Sequence, residues 1–401
     1  MPEPVKILLC GDVMTGRGID QILPFPSDPR LHERWTASAA DYIHLAERAY
    51  GPILRPARFD YPWGDAIGAW REPAPDLVIV NLETALTRSN RHVPKGINYR
   101  MSPENVGCLT AAGIDACALA NNHILDWGRE GLDDTLAALA AAGIRATGAG
   151  RDLAAASAPT ILATGTASRV LLIACAVADS GVPPSWAARE DRSGVNLIAL
   201  TDDAVETIAR TLDAVRRPGD IAIVSVHWGP NWGYAIDSRQ RSFAHGLIRR
   251  AGVSIVHGHS SHHPKGVEVF DGRLILYGCG DFLNDYEGIA GHETLRGDLV
   301  AAYLASLNPG DGRLSGVEIL PFQIRHFRLQ KPTDDDIAWF GERLDRESAK
   351  LGARIVQGAA GRFALRWPEP APAEPCERRR RSAVDQDQGA AQRLSPEVHD
   401  G

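Results

Sequence analysis

Long apolar runs are missing from this chain. The N-terminal stretch Ile7-Leu8-Leu9-Cys10 is cut off by Gly11-Asp12, far short of a secretory apolar region or of the roughly 20 residues that cross a membrane. Paired cysteines are missing too. Cys10, Cys108, Cys117, Cys175, Cys279 and Cys376 show no CxxC spacing, and five of them lie in or beside apolar stretches, as buried free thiols do rather than a disulfide framework. Together these absences lead to the expectation of a cytoplasmic protein without a stable membrane anchor. Positive charge is not in excess: 43 Lys and Arg face 50 Asp and Glu, a formal net charge of −7. That balance argues against the basic stripe of a nucleic-acid-binding protein. No GxxxxGK[ST] loop occurs, so ATP-driven ligation by this chain alone is not expected.

What is present is ordinary globular composition, 44% hydrophobic and 23% charged over 401 residues, ample for a large core. Short runs rich in Val, Ile and Leu recur at 5–10, 76–80, 170–177, 221–226, 253–257 and 274–278, with a weaker one at 114–119. Each reads as a buried strand. Helical patterns fall between them at 38–50, 103–112, 129–142, 202–217 and 239–251. The alternation predicts an α/β fold with a mostly parallel or mixed sheet. Beyond 266 the pattern changes to hairpins, at 267–277 and again at 299–320 around Asn308-Pro309-Gly310-Asp311-Gly312. A helix is expected over 334–357, within a C-terminal segment 331–367 that packs on the domain 1–330. The Pro-rich stretch 368–401, with Arg378–Arg381, lacks apolar periodicity and reads as a disordered tail.

Five polar clusters stand where strands end, the place where ligands gather in open α/β sheets. Asp12 lies between Gly11 and Gly16, which allow a close approach to a cation, and Arg17 could hold a phosphate or carboxylate bidentately. The bland reading is a tight turn with an Asp cap. Glu83 closes a buried run, a costly position unless the carboxylate is paired or bound to a cation. In Asn121-Asn122-His123-Ile124-Leu125-Asp126 an amide oxygen offers a neutral hard ligand, His123 can reach a substrate at the same metal, and Asp126 can fix its tautomer. His227 follows the run 221–226. Last, His257, His259, His262 and His263 crowd into seven residues, rarely a structural pattern, and imidazole suits zinc and other first-row metals. This thiolate-free O/N set fits one or two divalent transition metals, Mn, Fe or Zn. Two such ions would clamp a displacement and activate water.

In this order, Gly-Asp-x-Met-x-Gly-Arg, Asn-Leu-Glu-Thr, Ala-Asn-Asn-His-x-x-Asp-x-Gly, His-Trp-Gly and the Gly-His loop before Pro-Lys-Gly-Val-Glu resemble the capsule-synthesis protein CapA family. That family is named for poly-γ-glutamate capsule synthesis and belongs to the calcineurin-like metallophosphoesterase superfamily. The match runs from about 5 to 285 and more loosely to 330. It implies a sandwich of mixed β-sheets flanked by helices, with the metal site on loops at strand ends. It further implies Asp12 as terminal or bridging ligand, Glu83 as bridging carboxylate, Asn122 and His227 as ligands, and His123 as the acid for the leaving group. Counting back from Gly266-Val267-Glu268 aligns His259 and His262 with the family's histidine pair, with His257 and His263 as alternatives. Met14 occupies a superfamily His position, which leaves mononuclear binding open, and Asp281 stands where Asn is usual. The resulting expectation is a metal-dependent hydrolase of phosphoester or related bonds, acting on a small-molecule or polyanionic substrate. The alternatives are γ-glutamyl amide cleavage or transfer in capsule synthesis, or a non-catalytic metal-binding assembly protein.

Overall fold

Strand Val5–Val13 shows how the sequence makes the architecture. Val5, Ile7 and Leu9 enter one apolar cluster and Leu8 and Cys10 another, so both faces of the strand are covered. The computed structural model describes residues 3–289 and 291–368. The tail beyond Pro368, with Cys376 and Arg378–Arg381, lies outside the described residues.

Two sheets lie face to face. In the first, Val5–Val13 is parallel to Leu77–Leu82, which is parallel to Ala116–Ala118, while Leu299–Leu307 and Leu314–Arg325 continue antiparallel on the other side. In the second, Arg169–Val177, Ile221–His227, Ile255–His259 and Arg273–Leu276 run parallel, with Thr160–Ala163 and Val267–Phe270 antiparallel at the flanks. Ile7, Leu9 and Ile79 of one sheet share a core with Leu172, Ile223, Ile255 and Leu274 of the other. Outer faces are covered by helices. Ala40–Tyr50 and Gly128–Ala141 bury residues against the first sheet, and Asp202–Asp213 and Ser238–Ala251 against the second. The mixed α/β expectation and the expected sandwich of mixed sheets are therefore met.

Two readings need revision. The helix expected over 334–357 ends at Ala349. Gly352, at φ +84°, turns the chain, and Arg354–Gln357 pairs with Phe363–Arg366, which joins Leu314–Arg325 in the first sheet. Ile355, Phe363 and Leu365 bury themselves in the inter-sheet core. Residues 331–367 thus extend the sheet as well as packing a helix on it. Short period-2 stretches such as 354–357 carry too little pattern to be told from a helix end. Among the described residues no helix is long and apolar enough to cross a membrane, and all five described cysteines are buried and free.

Candidate metal centre

Plain strand alternation delivers the imidazoles. Ile221 and Ile223 face the inter-sheet core, so Ser225 and His227, two and four residues further on, face the same way. Ile255 likewise sets the direction for His257 and His259. Asp12 arrives differently. Counting by twos from Leu8 and Cys10 would put it on the outer face. Between Cys10 and Asp12, however, the register slips by one residue, with Cys10 opposite Val80 and Asp12 opposite Asn81. This bulge turns Asp12 inward. Gly11 is the extra residue, and a Cβ there would lie 1.8 Å from the Gly280 carbonyl oxygen, so only glycine fits.

At the meeting point Asp12, His227 and His259 bring ligand atoms within 4.8 Å of one another, all buried. His259 Nδ1 lies 3.7 Å from Asp12 Oδ1, and His227 Nε2 lies 3.9 Å from Glu83 Oε1. Asp12 is oriented by Asn81 Nδ2, which donates to Oδ1 at 2.7 Å, and by the Ser260 N–H, which donates to Oδ2 at 3.0 Å. Ser260 holds φ at +99° to do so. Asn121 donates to Asn81 Oδ1 at 3.1 Å and accepts from the His123 and Ile124 N–H groups. It is a scaffold, and leaves the neighbouring Asn122 as the amide with a free oxygen.

His123 Nδ1 sits 2.7 Å from Asp126 Oδ2, which also accepts from the Tyr99 N–H at 2.7 Å. The other nitrogen, Nε2, is 3.7 Å from Glu83 Oε1 and faces the centre. Sequence reasoning missed Lys95. Its Nζ contacts Asp126 Oδ1 at 2.8 Å and His123 Nδ1 at 3.2 Å, and it donates to the Asn122 carbonyl. Nothing in the Val93-Pro94-Lys95-Gly96 loop marks that contact, which the tertiary fold alone creates.

The remaining histidines separate by partner. His257 uses both ring nitrogens, Nδ1 with Ser225 Oγ at 3.1 Å and Nε2 with the Cys10 carbonyl at 2.9 Å. Ser225 Oγ also lies 2.8 Å from His259 Nε2, while His259 Nδ1 faces the centre, 2.8 Å from His227 Nδ1. His263 accepts from the Gly233 N–H at 3.0 Å and donates to the Pro264 carbonyl at 3.1 Å. Neither alternative histidine has a free nitrogen. His262 stands beside the three-residue group rather than in it, with Nδ1 2.8 Å from Asp281 Oδ1 and Nε2 2.8 Å from Asn231 Nδ2. Asp281 is the strand partner of Asp12. Arg17 is not aimed at the centre: Asp285 takes its Nε, at 3.2 Å, and its Nη2, and Glu33 and Tyr42 take its Nη1.

The electrostatics fit a cation. Burial, then the Asp281 charge, pushes the Asp12 carboxyl up to about 7. Burial and the Asp12 charge push Glu83 well up. Burial holds His227 and His259 far below their usual range, hence neutral, the form that binds metals. Burial, then the Lys95 charge, lowers His123 to about 4 against the pull of Asp126. Burial alone would lower His262, but the Asp281 carboxylate raises it. Among the buried polar atoms without a hydrogen-bond partner are His227 Nε2 and Asn122 Oδ1. Orphaned atoms of this kind are costly unless something binds them, and both belong to the expected ligand set.

Fold and donor set together define a two-sheet α/β protein with a carboxylate–imidazole centre able to hold a divalent metal. The chain belongs to the bacterial capsule synthesis protein PGA_cap family, whose model matches residues 6–286. A Mycobacterium tuberculosis protein named probable polyglutamine synthesis accessory protein is 48% identical over 358 residues, 88% of this chain and 94% of its own. The Bacillus subtilis PGA biosynthesis protein CapA is 29% identical over 278 residues, 68% of each chain. Among solved structures, the calcineurin-like phosphoesterase YfkN of Bacillus subtilis aligns over 87% of this chain and 99% of that one, at 12% identity and a TM-score of 0.45.

Proposed function

We propose that this protein is a metal-dependent hydrolase of phosphoester or related bonds that works in the cytoplasm. One observation carries the reading. A buried histidine, oriented by a carboxylate on one nitrogen, turns its other nitrogen toward Glu83, which adjoins a buried Asp–His–His group. A passive binding site has little use for such a proton-transfer group. Asp12, His227 and His259 would hold the metal, with Glu83 and Asn122 adjoining and His262 and Asp281 beside them. A divalent transition metal bound there supplies Lewis acidity toward water and toward the oxygens of the scissile group. Asn81 and Ser260 fix the Asp12 oxygens. Asp126 and Lys95 fix the Nδ1 side of His123 and leave Nε2 facing the centre, where it can take a proton from the attacking water and return it to a leaving oxygen. The buried free thiols suit a reducing compartment.

The test is metal analysis of the purified protein beside an assay on bis(p-nitrophenyl) phosphate with added Mn²⁺. Bound Mn, Fe or Zn and turnover are expected, with metal content reduced in Asp12→Ala and His227→Ala. Full occupancy in both variants would overturn the assigned site. The Mycobacterium tuberculosis and Bacillus subtilis relatives are named for polyglutamine synthesis and PGA biosynthesis, which supports a second reading: a part in poly-γ-glutamate capsule synthesis, or cleavage or transfer of a γ-glutamyl amide. Glutamate release from poly-γ-glutamate without phosphodiester turnover would select it. Metal uptake with neither activity would select a non-catalytic assembly protein.

A further inference from the structure

A cavity of about 580 Å³ opens beside the metal centre. His262 and Asn284 line it, and both hydrogen-bond Asp281, the strand partner of Asp12. A group attached to a scissile bond at the centre would therefore enter this space. Its size is that of a small-molecule site.

The charges on its walls are already used. Arg17 is held by Asp285 and Glu33, and Arg296 by Asp298 and Asp336. Glu287 accepts from the His326 and Phe327 N–H groups, and Glu293 from the Gly291 N–H. Asp298 accepts from Gln323 besides Arg296. Among the described residues that line the cavity no arginine or lysine is left unpaired, and a polyanion would pass three carboxylates against two guanidiniums there; Arg325, over the Tyr50 ring at 5.5 Å, stands outside the lining. Desolvating its charges without partners is unfavourable. What the walls do offer is aromatic and apolar surface. Tyr286 and Trp232 lie in the lining, and the rim carries Trp35, Tyr50 and Ile289, which are 66%, 44% and 50% exposed. Large apolar side chains left in water around one cavity mark a binding surface rather than chance exposure.

We infer that this cavity receives an uncharged, flat ring carried by the substrate, stacked against the Trp35–Tyr50 rim, and that it discriminates against polyanionic chains. The inference rests on the phosphoester reading of the adjoining centre: the single negative charge of a diester stays at the metal, and its ring-bearing arm occupies the cavity. Aromatic rings prefer offset or edge contacts of this kind.

Calorimetric titration of the full chain, loaded with Mn²⁺, tests it without requiring turnover. The probes are diphenyl phosphate, dimethyl phosphate and a short γ-glutamyl oligomer. Diphenyl phosphate should bind on the order of 10-fold more tightly than dimethyl phosphate, the worth of burying one ring. The double variant Trp35→Ala, Tyr50→Ala should erase that preference, and because neither side chain belongs to the buried core it should fold. The γ-glutamyl oligomer should bind no better than dimethyl phosphate. Equal affinities for the two diesters, a preference that survives the double variant, or tighter binding of the oligomer would each overturn the inference. Turnover of bis(p-nitrophenyl) phosphate separates this from the hydrolase reading. Ring preference without turnover defeats the activity and leaves the cavity standing, and turnover without ring preference does the reverse.

Discussion

The two halves of the metal centre are built by opposite devices. The second sheet presents His227 and His259 by unbroken alternation, continuing the inward direction of Ile223 and Ile255. The first sheet has to break its alternation at Gly11 before Asp12 faces inward. One half is regular strand carrying imidazoles that burial keeps neutral. The other is a bulge and two loops carrying carboxylates that burial drives toward protonation. A metal ion satisfies both at once, since it binds neutral imidazole and repays the cost of buried carboxylate. The irregular half is also the one that holds His123, the proposed proton-transfer group.

The largest effect should come from breaking the bulge. Gly11→Ala puts a Cβ 1.8 Å from the Gly280 oxygen and 3.0 Å from Cys279 Cβ. Backbone must shift, and destabilisation of roughly 3 kcal/mol or more is expected from overpacking of that severity, read as a lower urea midpoint together with lost metal. An unchanged midpoint would mean that the bulge is not needed to aim Asp12.

Next comes the division of labour between the halves. His123→Gln should keep its metal and lose on the order of 10²–10⁴ in turnover, and Asp126→Asn should lose less because it acts through His123. Normal turnover in His123→Gln would remove that residue from the mechanism. A smaller effect should sit behind the second sheet. His257 bonds the Cys10 carbonyl of the first sheet and, through Ser225, orients His259. His257→Gln should weaken metal binding by about 10–100-fold, the usual worth of a partner behind a ligand, in a competition titration with a chelator.

The subtlest separation is by pH, in metal-free protein. Asp12 sits at about 7 against an ordinary 3.8. The folded state keeps a proton that the unfolded chain releases, so this group lowers stability as pH rises from about 4 to about 7. His227 is held well below its ordinary 6.5. The folded state refuses a proton that the unfolded chain takes up, so this group lowers stability as pH falls below 6.5. Asp12→Asn should therefore gain stability over the parent chain toward pH 7, and His227→Gln toward lower pH. Slopes of the same sign in the two denaturation series would contradict the opposed electrostatics of the halves.

Much of this was legible in the chain itself. Strands with Val, Ile and Leu on alternate positions fix which residues face a core, because side-chain direction repeats every two residues. That His227 shares a face with Ile223, and His259 with Ile255, follows from that rule; that this face meets the other sheet does not. The helices at 202–213 and 238–251 follow from the caps Thr201 and Asp237 and from apolar spacing, and that at 128–141 from apolar spacing alone. Residue type did the rest: Asp, Glu, Asn and His at strand ends without cysteine specify hard and borderline metals wherever they meet.

Only the tertiary structure decided which of them meet. Four histidines within 257–263 are equivalent as letters. Ser225 and the Cys10 carbonyl occupy His257, Gly233 and Pro264 occupy His263, and Asp281 takes one nitrogen of His262. His259 Nδ1 instead meets His227 Nδ1 and faces Asp12. The same holds for Arg17, whose guanidinium reads as an anion clamp until Asp285, 268 residues away, closes on it. Lys95 enters the site from a loop with no motif at all. The reason is physical. Local sequence sets backbone conformation and side-chain direction, but the partner that satisfies a buried polar atom comes from wherever the chain returns, and each such atom must find one.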